Sequence, residues 1–555
     1  MNDKQSPNPE KQSSVATNHL NPTEAVARGQ GFSATMTHFY EHPSDNSDIP
    51  EVWCYTDQPS YEPGEEVSFC VSTTANTFDL EVIRDGAYPE SVFQTKGNVG
   101  IHHPTPPRAY AEGCNWPTSI TWSLPSDLRS GGYVVLTSIE DKYGEKIEQQ
   151  HFFIVRAGQQ SERAPLVLIV TTATWVAYND WGGSNAYEGI DGEASDQFSP
   201  TLSLERPWSK GFIWLPEGAP RIPNRLPPNS IPRYPNIEFA FSQGFAKYYA
   251  AAGWATYERN FVCWAQQQGI EFDVISQYDL HNDPNLLTPY QCAVIVGHDE
   301  YWSRDMRDNL DNFIDKGGNL ARFGGNFCWQ IRLEDGNQKQ VCYKYRARDE
   351  DPVMGTDQQA QLTSAWEDSI VNYPGASTMG LNGFAGVYVG VGATMPRSQR
   401  GFTVYRSDHW AFENTDLYFG DIFGEDAGIY GFEVDGVDFT FTDGLPYPTH
   451  SDGAPDSLNI LAMAPATLVE EDHGHRGAQL YLGDADAIFA ASVKHGSAST
   501  EAVNKVKYGA GMIATFTRGA GQVFNAASCE WVVGLKAKDF HTETITLNVL
   551  RRFAG

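Results

Sequence analysis

The runs of apolar residues that lack polar alternation constrain this chain most. "APLVLIVTT" begins at Ala164 and "CAVIVGHDE" at Cys292. A strand that is apolar at successive positions has both faces covered, which calls for a parallel sheet between helices. "EFDVISQYDL" reads as another strand of the set, and "NLARFGGN" as the one after "CAVIVGHDE". Between these last two, "SRDMRDNLDNFIDKGG" reads as a helix, with Ser303 as N-cap and a glycine pair as stop. Residues 237–268 show helical spacing through Phe241, Phe245, Tyr248, Tyr249 and Ala252. A Pro-rich connection (205–236) precedes them, and "HTETITLNVLRRFAG" closes the chain as a helix. Alternating strands and helices predict a doubly wound parallel sheet.

At 555 residues the chain exceeds one ordinary core, so several domains are expected. Residues 1–45 are rich in Asn, Ser, Pro and Gln and read as a flexible arm. Residues 46–160 hold short alternating runs such as "EEVSFCVST", "DLEVIR" and "GGYVVLTSI", split by turn residues. That pattern predicts an Ig-like β-sandwich. Residues 161–555 form the α/β unit, with aromatic strands and loops inserted over about 340–530.

A net charge of −31 argues against nucleic acid and anionic membranes as partners. The eight cysteines form no CxxC and lie among aromatic and aliphatic residues, as expected of reduced, buried thiols. The N-terminus shows no apolar leader, and no run approaches the ~18 apolar residues of a membrane span. A cytoplasmic protein is expected.

Ligands of open α/β sheets bind at the carboxyl ends of the strands. Two loops fall there. "TTATWVAYNDWGGSNAY" follows the first buried strand, and "GHDEYW" ends a later one. They bring Tyr178, His298 and Glu300 to the same edge. Phenolate, carboxylate and imidazole together suit a hard, Lewis-acidic metal. Read alone, "HDEYWS" serves equally as a helix N-terminus, its acids satisfying free N–H groups. No GxSxG, HExxH or P-loop competes.

These motifs, with "FGGNFCWQIR", "SDHWAFENTDL", "YGFEVDG" and "QVFNAASCEW", stand in an order that resembles the large (beta) subunit of N,N-dimethylformamidase and its relatives. The resemblance covers roughly residues 46–555. It implies a sandwich followed by a glutamine-amidotransferase-like domain without the Cys nucleophile. It also implies a mononuclear Fe(III) held by two tyrosinates and a glutamate. On this sequence the ligands become Tyr178, Tyr234 and Glu300. Relatives often carry "RPY" where this chain has "RPW", ending in Trp208, so Tyr187 and Tyr301 stand as substitutes for Tyr234. His298 matches a proton carrier, Glu433 an acid near the reacting water, and Asn326 a donor to the substrate carbonyl. Asp299 is left to the helix start or to a supporting role.

The resemblance implies hydrolysis of the C–N bond of a small N-substituted amide, giving an acid such as formate and an alkylamine. Trp175, Trp181, Trp302 and Phe327 are expected to wall the pocket. A small partner subunit and a homo-oligomer are also implied. The lectin-like insertion of known dimethylformamidases has no room in this chain. Two alternatives remain at this level. One is a non-catalytic binding or scaffold protein on the same fold. The other is an amidase using Cys328 or Cys292.

Overall fold

The apolar runs become neighbouring strands, because each has two faces to cover. A computed structural model of the chain describes residues 39–44, 46, 48–158, 162–191, 197–221, 235–386, 401–467 and 485–555. Leu166–Val170 and Cys292–His298 are buried at every position and pair in parallel. Phe272–Ser276 flanks the first of them and Asn319–Gly325 the second, both parallel. Gly521–Asn525 adds a fifth parallel strand.

Beyond it the sheet departs from the all-parallel expectation. Tyr508–Arg518, Asn459–Thr467, Phe402–Val404 and Ile422–Phe423 continue it in antiparallel order, giving nine strands among the described residues. The cause is local. Only Gly519 and Ala520 separate Tyr508–Arg518 from Gly521–Asn525, and so short a connection can only reverse the chain.

The helix after "GHDEYW" spans Arg304–Asp315, and Ser303 Oγ accepts from Met306 N at 3.2 Å as its cap. The closing helix spans Phe540–Ala554. The single helix expected over 237–268 is instead two, Pro235–Gln243 and Glu258–Gln267. Gly253 shows why. Its φ is +111°, and a Cβ there would lie 2.6 Å from the Phe212 carbonyl oxygen. The chain crosses another backbone at that point, which a continuing helix with side chains does not allow.

The N-terminal strands form two sheets. One contains Val52–Thr56, Glu66–Thr73 and Ile120–Ser123; the other contains Ser60–Tyr61, Lys146–Val155, Gly131–Glu140, Thr77–Arg84 and Glu90–Val99. Val67, Phe69, Leu80, Tyr133 and Phe153 belong to their common core. This unit meets the large sheet through aromatic rings and one buried acid. Phe152 lies 5.3 Å from Trp175, and Asp85 accepts from Trp254 Nε1 (2.8 Å), Trp214 Nε1 (3.0 Å) and Arg259 Nε (2.7 Å). Of the expected arm, residues 1–38 lie outside the described residues. No helix among the described residues is long and apolar enough to cross a membrane.

Candidate active site

Strand Leu166–Val170 passes directly into helix Thr172–Tyr178, which carries Tyr178 on its last turn. Both helix ends are held by buried charged residues. Glu258 Oε1 accepts from Thr171 N (3.1 Å), Thr171 Oγ1 (2.7 Å) and Trp175 Nε1 (3.2 Å). At the other end Arg206 Nη2 donates to the Val176 carbonyl (3.3 Å) and Nη1 to that of Trp181 (2.7 Å). Carbonyls at a helix C-terminus lack partners within the helix, and a guanidinium supplies them. The "RPW" segment therefore supports the first tyrosine. Its Trp208 packs against Trp175 at 5.9 Å and lies 6.5 Å from His151 of the N-terminal unit.

The opposite wall is built by Cys292–His298. Gly297 has φ +77°, and a Cβ there would fall 2.3 Å from the Tyr257 Cβ. Only glycine fits that turn, which sets the direction in which His298, Asp299 and Glu300 leave the strand.

The two loops meet on one oxygen. Tyr178 Oη donates to Glu300 Oε2 at 3.0 Å, and Tyr187 Oη donates to the same atom at 2.6 Å. Trp329 Nε1 holds the other carboxylate oxygen, Oε1, at 2.7 Å. Burial, then the Glu300 carboxylate, push both phenols well above the ordinary tyrosine range.

Beside this cluster lies a buried imidazole–carboxylate pair. His298 Nε2 is 2.6 Å from Glu433 Oε2 and 3.4 Å from Glu300 Oε2. Its Nδ1 donates to the Ala251 carbonyl at 2.8 Å, which fixes the ring. Burial lowers the His298 pKa, but Glu433 and Glu300 outweigh it and raise it to about 9. Asn326 Nδ2 donates to Glu433 Oε2 at 2.7 Å. Asn326 itself takes a left-handed backbone, φ +64°.

A buried ionic network supports these groups. Arg322 pairs with Asp299 and, at 2.6 Å, with Asp435. Asp435 Oδ1 accepts from Asn326 N at 2.8 Å and so holds the turn carrying that side chain. Asp299 thus serves Arg322, while the helix cap falls to Ser303.

The structure brings together five expected residues: Tyr178, Glu300, His298, Glu433 and Asn326. Tyr234 lies outside the described residues. Of its two substitutes, Tyr187 reaches Glu300, whereas Tyr301 Oη donates to Tyr187 Oη at 2.8 Å. Trp175 and Trp181 are core rather than pocket wall. Trp181 packs on Trp53 and Trp116, at 5.6 and 6.0 Å. Trp302 Nε1 donates to the Asp299 carbonyl, and its ring lies 5.6 Å from Phe327. Tyr248, 5.9 Å from Tyr178, and Phe432, 5.4 Å from His298, also border the cluster.

Cys328 is buried, and burial, then Glu300, push its thiol well up. Cys292 begins the strand that His298 ends, roughly 20 Å away at about 3.3 Å per residue. Cys529 was not anticipated. Its sulfur and ligand atoms of His298 and Glu433 all lie within 4.8 Å of one another. Asp435, Arg322 and Trp329 were also missed, although an arginine inside the apolar strand "NLARFGG" was a legible signal.

A parallel-centred sheet with a buried phenol, carboxylate and imidazole cluster at its carboxyl edge defines a protein of the α/β class, whose ligands bind at strand ends. The chain belongs to the family described as "N,N-dimethylformamidase beta subunit-like, C-terminal", which it matches over residues 79–544. No curated protein matches the chain. Among solved structures, Spo0M, a sporulation control protein from Bacillus subtilis, shares 15% identity over 19% of this chain, with a TM-score of 0.14. The chain covers 49% of that protein's length. Murine CRIg shares 9% identity over 20% of this chain and 99% of its own, with a TM-score of 0.15.

Proposed function

We propose that this chain hydrolyses the C–N bond of a small N-substituted amide of the N,N-dimethylformamide type, releasing an acid and an alkylamine. The observation that carries this reading is the convergence of Tyr178 and Tyr187 on Glu300, beside the His298–Glu433 pair. Family membership supports it.

Two phenol oxygens and a carboxylate are a hard donor set and fit a hard trivalent cation. Tyr178, Tyr187 and Glu300 would hold a mononuclear ferric ion. When bound, such an ion supplies Lewis acidity to a carbonyl or water oxygen.

The protein's own groups handle position and protons. Asn326 Nδ2 donates to the amide carbonyl oxygen. Glu433 accepts a proton from the attacking water as its oxygen adds to the carbonyl carbon. His298, oriented by the Ala251 carbonyl, gives its Nε2 proton to the nitrogen as the C–N bond breaks. Glu433 then returns a proton to His298 across their 2.6 Å contact. One water is consumed, and both side chains end as they began.

The five parallel strands support an amidotransferase-like scaffold in which "GHDEYW" occupies the nucleophile's turn. The family description as a beta subunit supports a small partner chain.

The test combines metal analysis, visible absorption and amine release from a panel of N-alkyl formamides and amides. Bound iron, a phenolate-to-iron band and amine release are expected. A folded, colourless and iron-free protein would overturn the reading.

A further inference from the structure

The stretch "CYKYR" carries Lys344 into the interior. The residue is 1% exposed, and its backbone is left-handed, φ +51°. A long non-glycine side chain at positive φ carries a conformational cost, and burying an ammonium carries a desolvation cost. Both fall on one residue, and interactions around Nζ offset them.

Nζ donates to the Ala186 carbonyl at 3.2 Å and lies 3.5 Å from the centre of the Tyr187 ring. The rings of Trp329, Tyr345 and Tyr301 follow at 5.2, 5.3 and 5.9 Å. Ring faces carry negative potential and attract a cation at these distances. Two of these rings also hold Glu300. Tyr187 donates to Oε2 at 2.6 Å and Trp329 to Oε1 at 2.7 Å. The ammonium therefore lies against two of the three groups that orient the carboxylate.

We propose that Lys344 is a positioning residue of the centre. It grips the Ala186–Tyr187 segment by carbonyl and ring together, and so holds the Tyr187 hydroxyl on Glu300. The inference rests on the reading that Tyr187 and Glu300 belong to the reactive site. A neutral side chain of similar length fills the space but releases both grips.

The test uses the full chain with Lys344→Met, Lys344→Arg and Tyr187→Phe, and the Met and Phe changes combined. Apoprotein is titrated with ferric iron from a weak chelate. Bound iron and the visible band are recorded, and thermal unfolding of the apoprotein checks the fold. Lys344→Met should bind iron about 10-fold or more weakly with a shifted band, as supporting residues of metal ligands do. Lys344→Arg should recover most of the loss. On the Tyr187→Phe background, Lys344→Met should change affinity by less than about 2-fold, because the coupled partner is gone. Unchanged affinity and band in Lys344→Met, or an equal loss on both backgrounds, would overturn the proposal. If Lys344→Met does not fold, Lys344→Gln against Lys344→Arg makes the same comparison.

A metal-independent readout separates this from the site reading. Fluorotyrosine placed at position 187 of the apoprotein should change its 19F shift on Lys344→Met. Absence of iron uptake by the unaltered chain overturns the site reading. An unmoved 19F signal overturns the role of Lys344.

Discussion

Tyr187 Oη lies 2.6 Å from Glu300 Oε2, the oxygen that also receives the Tyr178 hydroxyl at 3.0 Å. Tyr178 ends a helix, Tyr187 follows nine positions on in the next loop, and the glutamate comes from another strand end. Tyr178→Phe and Tyr187→Phe should each weaken iron binding by more than the ~10–100-fold of a lost supporting residue and shift the visible band, since one phenolate remains. Tyr301→Phe removes only the partner of Tyr187, so it should weaken iron binding by about 10–100-fold and keep the colour. Metal analysis of the three proteins checks this, and a Tyr187→Phe protein with full iron and an unaltered band would refute the assignment.

Glu433 touches His298 at 2.6 Å and Asn326 at 2.7 Å, whereas Tyr178, Tyr187 and Trp329 hold Glu300. Glu433→Gln should therefore keep iron and fold while kcat falls by ~10²–10⁴, the ordinary worth of a positioned acid or base. Steady-state kinetics with metal quantification decides the matter. A kcat within twofold of the unaltered protein, on the scale of about 10² expected, would remove Glu433 from the chemistry.

Arg322, on strand Asn319–Gly325, joins two buried carboxylates, Asp299 and Asp435. Arg322→Met leaves both charges unpaired in the interior. Loss of one partner of a buried pair costs about 3–5 kcal/mol, so denaturant unfolding should show a drop at least that large. Asn326 is tied to Asp435 through its backbone N–H, so activity should fall with stability.

Glu258 caps the helix that carries Tyr178, and burial lifts its pKa to about 7. A carboxyl with a folded pKa above its unfolded value binds protons more tightly when folded. Its contribution is complete below about pH 4.5 and is lost as pH rises through 7. Stability should fall by about 3 kcal/mol between pH 4.5 and 8 from this residue. Glu258→Gln should flatten that part of the curve, which unfolding midpoints at several pH values would reveal.

Cys328 lies close to the centre, but burial keeps its thiol protonated, and a thiol is a poor nucleophile. Cys328→Ser should retain amide hydrolysis within about twofold, the range of a volume-conserving change in a packed wall. Loss of turnover with iron still bound would revive the cysteine-dependent alternative.

Much of this was legible in the residues. The unbroken apolar runs announced the parallel strands, because burial on both faces leaves no polar alternation. "GHDEYW" was ambiguous by itself, and Ser303 resolved it by taking the cap and freeing the acids. The antiparallel half of the sheet was not legible, since Tyr508–Arg518 and Asn459–Thr467 are rich in Ala, Gly and Met and carry a weaker strand signal than the Val- and Ile-rich runs. The expected long helix over 237–268 failed at Gly253, where a close crossing by Phe212 imposes a turn that helical spacing does not report.

The amino-acid sequence alone determined which residue types stand at the strand ends: Tyr178 after one strand, His298 and Glu300 after another, Asn326 after the next. Tertiary structure decided which of them meet. Tyr187, Tyr301 and Trp329 are similar aromatic residues, the first in a loop and the other two at the starts of neighbouring strands. Only the fold puts the first on Glu300 Oε2, the second on Tyr187, and the third on Glu300 Oε1. The reason is that periodicity specifies one face of one element. Contacts over more than a hundred residues depend on strand register, on Gly297 turning the chain, and on Arg206 and Arg322 holding loops that cannot hold themselves.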